Sequence, residues 1–366
     1  MKNDNFYMNL ALELAKREKG ITHPNPTVAA VLVKNGKIIG KGVHKGAGKP
    51  HAEIEAINDA QKKGASPKGA TMYVTLEPCC HYGRTPPCTN AIIEHNIKRV
   101  VIGTKDPNPT VAGKGIKLLQ EKGITVKTGV LEEYAKQLNE DFFTYITQKR
   151  PFVHLKIAQT LDGKIASYTG SSKWITNEKS RKYAHKLRKE AGAVLVGINT
   201  VLKDNSKLTV RHVETDKQPK KIIIDKELKI PLQADLLSTE GESIIITSEY
   251  ADKEKIKKLK DKGIKIEKLP VKEGLFEIED LLNLLFELEI VQILVEGGAK
   301  TITKFLKSGF VDRFSIFIAP KILGEEGLSS IGKLDIEDIK DSYKFYVEKL
   351  KRFDDDIYLS LKPSKR

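Results

Sequence analysis

The sequence predicts two α/β domains in tandem, and three observations carry that prediction. At 366 residues the chain is too long for one typical core and suits two. Short β-branched runs alternate with amphipathic stretches along most of its length, the pattern of layered α/β structure. Gln148-Lys149-Arg150-Pro151 is the best break in that alternation, which places domains at 1–147 and 148–366.

The elements follow in order. Residues 6–19 (FYMNLALELAKREK) carry apolar side chains at helical spacing, and Pro24-Asn25-Pro26 bars continuation. Val28–Val33 and Lys37–Ile39 read as strands joined by an Asn35-Gly36 turn. His51–Lys63 reads as a helix closed by Gly64, Thr71–Leu76 as a strand, Thr89–His95 as a helix and Arg99–Thr104 as a strand. Ile116–Lys122 and Ile124–Lys127 continue the alternation, and the domain ends near Tyr145. The second half offers strands at Phe152–Ala158, Ala193–Val196, Lys221–Ile224, Ser243–Thr247, Val291–Val295 and Arg313–Ile318. Helices are expected at 177–190, 251–262, 277–287 and 299–307. The Lys-rich stretch 331–366 shows little pattern.

Composition narrows the class. No apolar run approaches the roughly 18 residues of a membrane span, and the N-terminus lacks a basic-then-apolar signal layout, so a cytoplasmic protein with no membrane partner is expected. The net charge of +15 is spread among acidic residues over the whole length. With aromatics at only 7%, stacking platforms for nucleic acid are scarce, and a solvated surface explains the charge better. All three cysteines fall between Cys79 and Cys88, which suits a metal site and not a disulfide framework.

His51-Ala52-Glu53 followed by Pro78-Cys79 and then Cys88 is a kit for hydrolytic deamination. One imidazole and two thiolates can hold zinc with its fourth position open to water. Zinc would lower the pKa of that water toward about 7. Glu53 would take a proton from it and later deliver protons to a ring nitrogen and the departing ammonia. The generic signature separates the two cysteines by two residues; here eight intervene. A structural zinc site is the alternative, with Cys80 or His81 as fourth ligand.

In the second half no Gly-x-Gly-x-x-Gly follows a strand. ILVEGGAKTITKFL (293–306) reads as a strand, two glycines and a helix whose first N–H groups could hold a phosphate, or as a plain strand-to-helix turn. Lys156 interrupts the apolar run Val153–Ala158 and needs a partner if buried.

HPNPTVAAVLV (23–33), GVHKGAGKPHAE (42–53), LEPCCHYGRTPPCT (76–89) and GTKDPNP (103–109) resemble the deaminase half of the bifunctional riboflavin-biosynthesis deaminase–reductases, which share the eight-residue spacing and the HYGRTPP insert. LKIAQTLDGKIA (155–166), SKWITNEKSR (172–181), LRKEAGAVLVGINTVLKDNSKLTVR (187–211) and VEGGAKT (295–301) resemble the reductase half. The resemblance covers about residues 5–330. It implies a cytidine-deaminase-like α/β/α domain and a dihydrofolate-reductase-like α/β domain. The implied substrate is a phosphorylated small molecule, a diaminopyrimidinone ribosylamine 5'-phosphate, which loses its 2-amino group; NADPH then reduces the ribose. A homodimer or homotetramer is also implied.

By position, the resemblance makes His51, Cys79 and Cys88 the zinc ligands and Glu53 the proton shuttle, with Asn25, His44 and Asp106 near the substrate. It makes Ala158, Trp174, Thr200, Asp204, Gly298, Ala299, Lys300, Thr301, Ile302, Thr303 and Lys304 the NADPH contacts. Ser172, Arg188, Leu208, Arg211 and Glu296 become substrate contacts, Arg188 and Arg211 as phosphate forks, while Lys156 would polarise the substrate. Ser206 and Ala299 stand where relatives often carry proline.

Overall fold

The computed structural model describes residues 3–83 and 85–364; Arg84 of the HYGRTPP insert lies outside them. The chain divides into two compact units, Met1–Arg150 and Pro151–Arg366.

In the first unit the order is α1 (Asp4–Lys16), β1 (Ala29–Lys34), β2 (Lys37–Val43), α2 (Ala52–Lys62), β3 (Thr71–Leu76), α3 (Cys88–Glu94), β4 (Arg99–Thr104), α4 (Lys114–Glu121), β5 (Thr125–Lys127), α5 (Glu132–Leu138) and α6 (Glu140–Gln148). The sheet runs β2-β1-β3-β4-β5. β1 is antiparallel to β2 and β3, and β3, β4 and β5 are parallel. α2, α3 and α4 bury Ala56, Ile57, Ile92 and Leu119 on one face, while α1 and α5 bury Met8, Leu12 and Leu138 on the other. The result is an α/β/α sandwich.

β2 runs four residues beyond the expected Lys37–Ile39. Gly40 and Gly42 hide its pattern, and both are there for contact with α2. A Cβ on Gly42 would lie 2.1 Å from the Ala52 carbonyl oxygen, and one on Gly40 2.1 Å from that of Ala56. Bare backbone lets α2 lie directly on the strand, and this sets the position of His51 and Glu53 at the helix start. The helix expected at 6–19 begins two residues early, because Asn3 accepts the Phe6 N–H as an N-cap, and it ends at Lys16.

The second unit contains β6 (Phe152–Thr160), β7 (Lys164–Ala166), α7 (Glu178–Ala191), β8 (Ala193–Gly197), α8 (Ile198–Asp204), β9 (Lys220–Ile224), α9 (Asp235–Ser238), β10 (Ser243–Thr247), α10 (Lys253–Asp261), β11 (Lys265–Lys268), α11 (Ile278–Glu287), β12 (Gln292–Val295), α12 (Ala299–Ser308), β13 (Arg313–Ala319), β14 (Leu328–Ser329), β15 (Phe345–Phe353) and β16 (Asp356–Pro363). Its main sheet has the order β11-β10-β9-β8-β12-β6-β13-β16-β15. It is parallel from β11 through β13, and then β16 and β15 return antiparallel. Alternate residues feed opposite faces: Leu195, Ile222 and Ile244 pack under α11 and α12, whereas Val194, Ile223 and Ile245 pack with α8 and α10, and Leu294 with α7.

Within the stretch 331–366, which shows little pattern in sequence, residues 345–363 form the β15–β16 hairpin that completes this sheet. β15 (FYVEKLKRF) is the edge strand and leaves Val347 and Leu350 exposed beside lysines, so no apolar-in, polar-out alternation marks it. No helix among the described residues is long and apolar enough to cross a membrane.

Candidate functional sites

The first site gathers at the carboxyl end of β3 and the start of two helices. His51 is the N-cap residue of α2, but its ring makes no capping bond and turns to the cysteines. Cys79 follows β3 by three residues, and Cys88 opens α3. His51 Nδ1 lies 3.6 Å from Cys79 Sγ and 3.2 Å from Cys88 Sγ, and the three ligand atoms all fall within 4.8 Å of one another. A tetrahedral zinc ion with ordinary bond lengths separates such ligands by about 3.5 to 3.8 Å, so this donor set fits zinc. Cys80 and His81 do not join the cluster, which leaves the three-ligand arrangement of a catalytic site and not the four of a structural one.

The electrostatics favour the ligand form of Cys79. The Cys88 thiol donates toward Cys79, and Cys79 also receives the Cys88 backbone N–H at 3.4 Å. These bonds, against burial and with help from His51, push Cys79 down to about 4; the same contact and burial push Cys88 up. Glu53 is 4% exposed, and burial, reinforced by the Cys79 charge, raises it to about 7. A cation beside it would draw that value down. At about 7 the carboxyl sits in the range in which a group both accepts and returns a proton.

Asn25 and His44 act as a pair. His44 Nδ1 bonds the Pro50 carbonyl oxygen at 3.0 Å, so that nitrogen carries the hydrogen and Nε2 accepts from Asn25 Nδ2 at 2.9 Å. Burial pushes the His44 pKa down and keeps the ring neutral. The amide is thereby oriented with its Oδ1 available as an acceptor. The His44 ring meets the His51 ring edge to face at 5.1 Å, so the pair stands beside the ligand cluster. Asp106 is 9% exposed, with Oδ1 holding Asn108 N–H at 2.8 Å, and burial raises its pKa to about 6.

Glu77 was not flagged by sequence. Its carboxylate accepts backbone N–H bonds from Gly113 (2.9 Å), Ile116 (3.2 Å) and Asp106 (3.3 Å). It thereby ties the segment leading to Cys79 to the start of α4 and to the Asp106 loop. Glu77-Pro78 directly precedes Cys79, and only that adjacency could have pointed to it.

The second site is a cleft of about 1380 Å³ across the carboxyl ends of β6, β12, β8 and β9, the usual location in open α/β sheets. Lys156, Ala158, Ser172, Trp174, Thr200, Asp204, Arg188, Leu208, Arg211 and Glu296 all line it. Gly298 is the N-cap of α12 and supplies no side chain, so the first N–H groups of that helix face the cleft without a side-chain cap. A Cβ on Gly298 would meet nothing within 4 Å, whereas one on Gly297 would come 2.5 Å from Thr301 Cβ. This bare helix start fits the pyrophosphate of a dinucleotide.

Two expected contacts are absent from the cleft. Gly298, Ala299, Lys300, Thr301 and Lys304 line it, but Ile302 and Thr303 do not. Helical rotation turns Ile302 into the core, and Thr303 Oγ1 engages Ala299 O and Gly332 N–H, both at 2.7 Å.

Arg188 is also tied to the protein itself. Its Nε and Nη2 hold Glu296 at 2.7 and 2.9 Å, and Nη1 donates to Thr209 O at 3.0 Å. Glu296 thus holds one edge of the guanidinium and Thr209 one N–H of the other arm, while Arg188 still lines the cleft. Burial would raise the Glu296 pKa, yet the charges of Arg188 and Lys156 hold it well below the usual carboxylate range. Lys156 Nζ lies 3.6 Å from Glu296, the partner its burial requires. Trp174 is 64% exposed and carries the Arg181 guanidinium over its ring at 4.6 Å, making a wall of the cleft and not a core anchor. Leu208 keeps a left-handed φ of 55° and packs into the core beside Val201.

Residues 151–359 match the family described as RibD C-terminal domain, and residues 1–104 match the cytidine and deoxycytidylate deaminase zinc-binding region. The riboflavin biosynthesis protein RibD of Aquifex aeolicus is 57% identical over 98% of both chains. This chain belongs to the RibD family.

The RibD of Escherichia coli is 36% identical over 98% of this chain and 99% of its own. A crystal structure from Thermotoga maritima, titled a diaminohydroxyphosphoribosylaminopyrimidine deaminase/5-amino-6-(5-phosphoribosylamino)uracil reductase, superposes with a TM-score of 0.87 at 41% identity over 99% of each chain. RibD proteins join a zinc deaminase half to an NADPH-dependent reductase half, and both halves are present here.

Proposed function

We propose that this chain performs two successive reactions of riboflavin biosynthesis. The first half hydrolyses the 2-amino group from a diaminopyrimidinone ribosylamine 5'-phosphate. The second reduces the ribosyl group of the resulting uracil to ribityl with NADPH. The observation that carries the reading is the three-ligand cluster of His51, Cys79 and Cys88 with buried Glu53 beside it.

A zinc ion held by that cluster supplies Lewis acidity that brings a water's pKa toward about 7. Glu53 takes a proton from the attacking water and delivers protons to the ring nitrogen and the departing ammonia. Asn25, oriented by His44, offers Oδ1 to an N–H donor on the pyrimidine edge. In the second half the bare start of α12 would hold the pyrophosphate of NADPH, which would supply the hydride for reduction at C1' of the sugar. Arg211 and Ser172 hold the 5'-phosphate together with Arg188, which Glu296 orients. Lys156, held by Glu296, polarises the substrate. A cytoplasmic homodimer or homotetramer completes the proposal.

The test is NADPH consumption with the unreacted diaminopyrimidinone as sole substrate, for the parent chain and for Glu53→Gln. The parent consumes NADPH; the variant does so only when supplied with the deaminated uracil. Equal rates with the unreacted substrate would remove Glu53 from the mechanism. No consumption by the parent with either compound would remove the reductase assignment.

A further inference from the structure

We infer that Thr85 is a positioning residue for the metal site, fixing the tautomer and the ring plane of His51. The inference rests on the reading of His51, Cys79 and Cys88 as a zinc site. His51 points Nδ1 at both cysteine sulfurs, so Nδ1 is its ligand nitrogen. The opposite nitrogen, Nε2, lies 3.2 Å from Thr85 Oγ1. An imidazole that ligates through Nδ1 carries its hydrogen on Nε2, and the Thr85 hydroxyl is there to accept it. Metal-bound histidines need such a partner: it locks the ring orientation and raises ligand basicity.

The backbone explains how a loop hydroxyl can do this. Thr85 precedes Pro86 and Pro87, which restrict it to extended conformations and leave the stem no N–H groups of its own. Pro87 is the N-cap residue of α3, whose first residue is Cys88. On the other side the loop closes on itself, with Gly83 N–H donating to Thr85 O at 3.2 Å. Thr85 is thus a short, stiff connection away from one ligand while its hydroxyl holds another. Thr85 lies among the eight residues between Cys79 and Cys88, a position that a two-residue spacing does not contain. The eight-residue spacing acquires a physical purpose: it carries the outer partner of His51.

The experiment compares Thr85→Val, which keeps the shape and removes the hydroxyl, with Thr85→Ser, which keeps the hydroxyl and removes the methyl. Zinc affinity of the full chain is read by competition with a chromophoric chelator. Reduction of the deaminated uracil by the same preparations reports that each variant is folded. The expected result is zinc binding weakened about 10- to 100-fold in Thr85→Val, with Thr85→Ser close to the parent and reduction unchanged in both. Parental zinc affinity in Thr85→Val overturns the inference. So does an equal loss in both variants, because the hydroxyl that Thr85→Ser keeps would then not sustain zinc binding. If the parent chain itself binds no zinc, the metal-site reading fails, an outcome distinct from either of these.

Discussion

Arg188 and Glu296, 108 residues apart in sequence, meet in a two-point ion pair with bonds of 2.7 and 2.9 Å. Their side chains are only 12% and 10% exposed, so neither charge tolerates loss of the other. Removing one partner from a buried pair typically costs about 3 to 5 kcal/mol. Arg188→Met is expected to destabilise the chain on that scale in urea unfolding. Arg188→Lys, which restores charge without the fork, should recover only part of the loss. A cost below about 1 kcal/mol for Arg188→Met would show that the pair is solvated in solution.

His185 makes stability depend on pH. It is buried, its Nδ1 accepts the Arg211 backbone N–H at 3.2 Å, and the ring lies beside His212, with Arg188 and Glu296 also near. Burial first, and then the Arg188, His212 and Arg211 charges, push its pKa from 6.5 down to about 3. Between those values the unfolded chain binds a proton that the folded chain refuses, so stability falls as pH drops through that window. Glu296 acts in the same sense over a lower window: its depressed pKa adds stability that is lost only as pH falls below its ordinary 4.5. The loss between pH 6.5 and 4.5 thus includes a His185 share. His185→Asn, which keeps an acceptor near Nδ1 and cannot be protonated, should flatten the decline in Tm over that interval. An unchanged slope would mean that His185 already titrates normally in the folded state.

Gly42→Ala tests the seating of α2. The added methyl would meet the Ala52 carbonyl oxygen and Ala56 nitrogen, backbone atoms that cannot rotate away. Overpacking of this kind costs about 1 to 3 kcal/mol. Because α2 begins at the metal ligand His51 and Glu53, deamination should fall well before reduction does. The two activities, measured separately on the same preparation, decide this; equal loss of both would refute a local effect.

Glu77→Gln tests the tie between β3 and α4. One of the two oxygens that accept backbone N–H groups becomes an NH2 group, so at least one buried donor loses its partner. The expected cost is about 1 to 3 kcal/mol. The effect on deamination should appear in KM, since the Asp106 loop is what moves. A change confined to kcat would count against that assignment.

The chemistry of both sites was legible in the sequence to different depths. His51, Glu53, Cys79 and Cys88 could be read because thiolate, imidazole and carboxylate at those spacings have few other uses. Thr85 and Glu77 could not. A spacing of eight residues does not say which hydroxyl of the insert turns inward, and nothing local announces that Glu77 collects three backbone N–H groups from another segment. The contiguous stretch 298–304 was carried over whole, whereas a helix presents only part of such a run to one side, so Ile302 and Thr303 point elsewhere. The edge strand β15 was hidden because its lysines interrupt the alternation that would mark it, and α5 and α6 were passed over although Leu138 and Phe142 anchor them.

By itself the sequence determined the two α/β units and the ligand types available to a metal. Those depend on periodicity and on side-chain chemistry, which are local properties. Only the tertiary structure decided which charges neutralise one another. Arg188 reads as a phosphate fork, and only the fold brings Glu296, at the end of β12, onto its Nε and Nη2 and the Thr209 carbonyl onto its Nη1. Lys221 reads as the polar start of a strand, yet it is wholly buried, with its ammonium on the Thr239 carbonyl oxygen at 2.8 Å. A charged group takes the nearest partner in space once water is excluded, and nearness in space across many residues is the one quantity that a linear pattern does not contain.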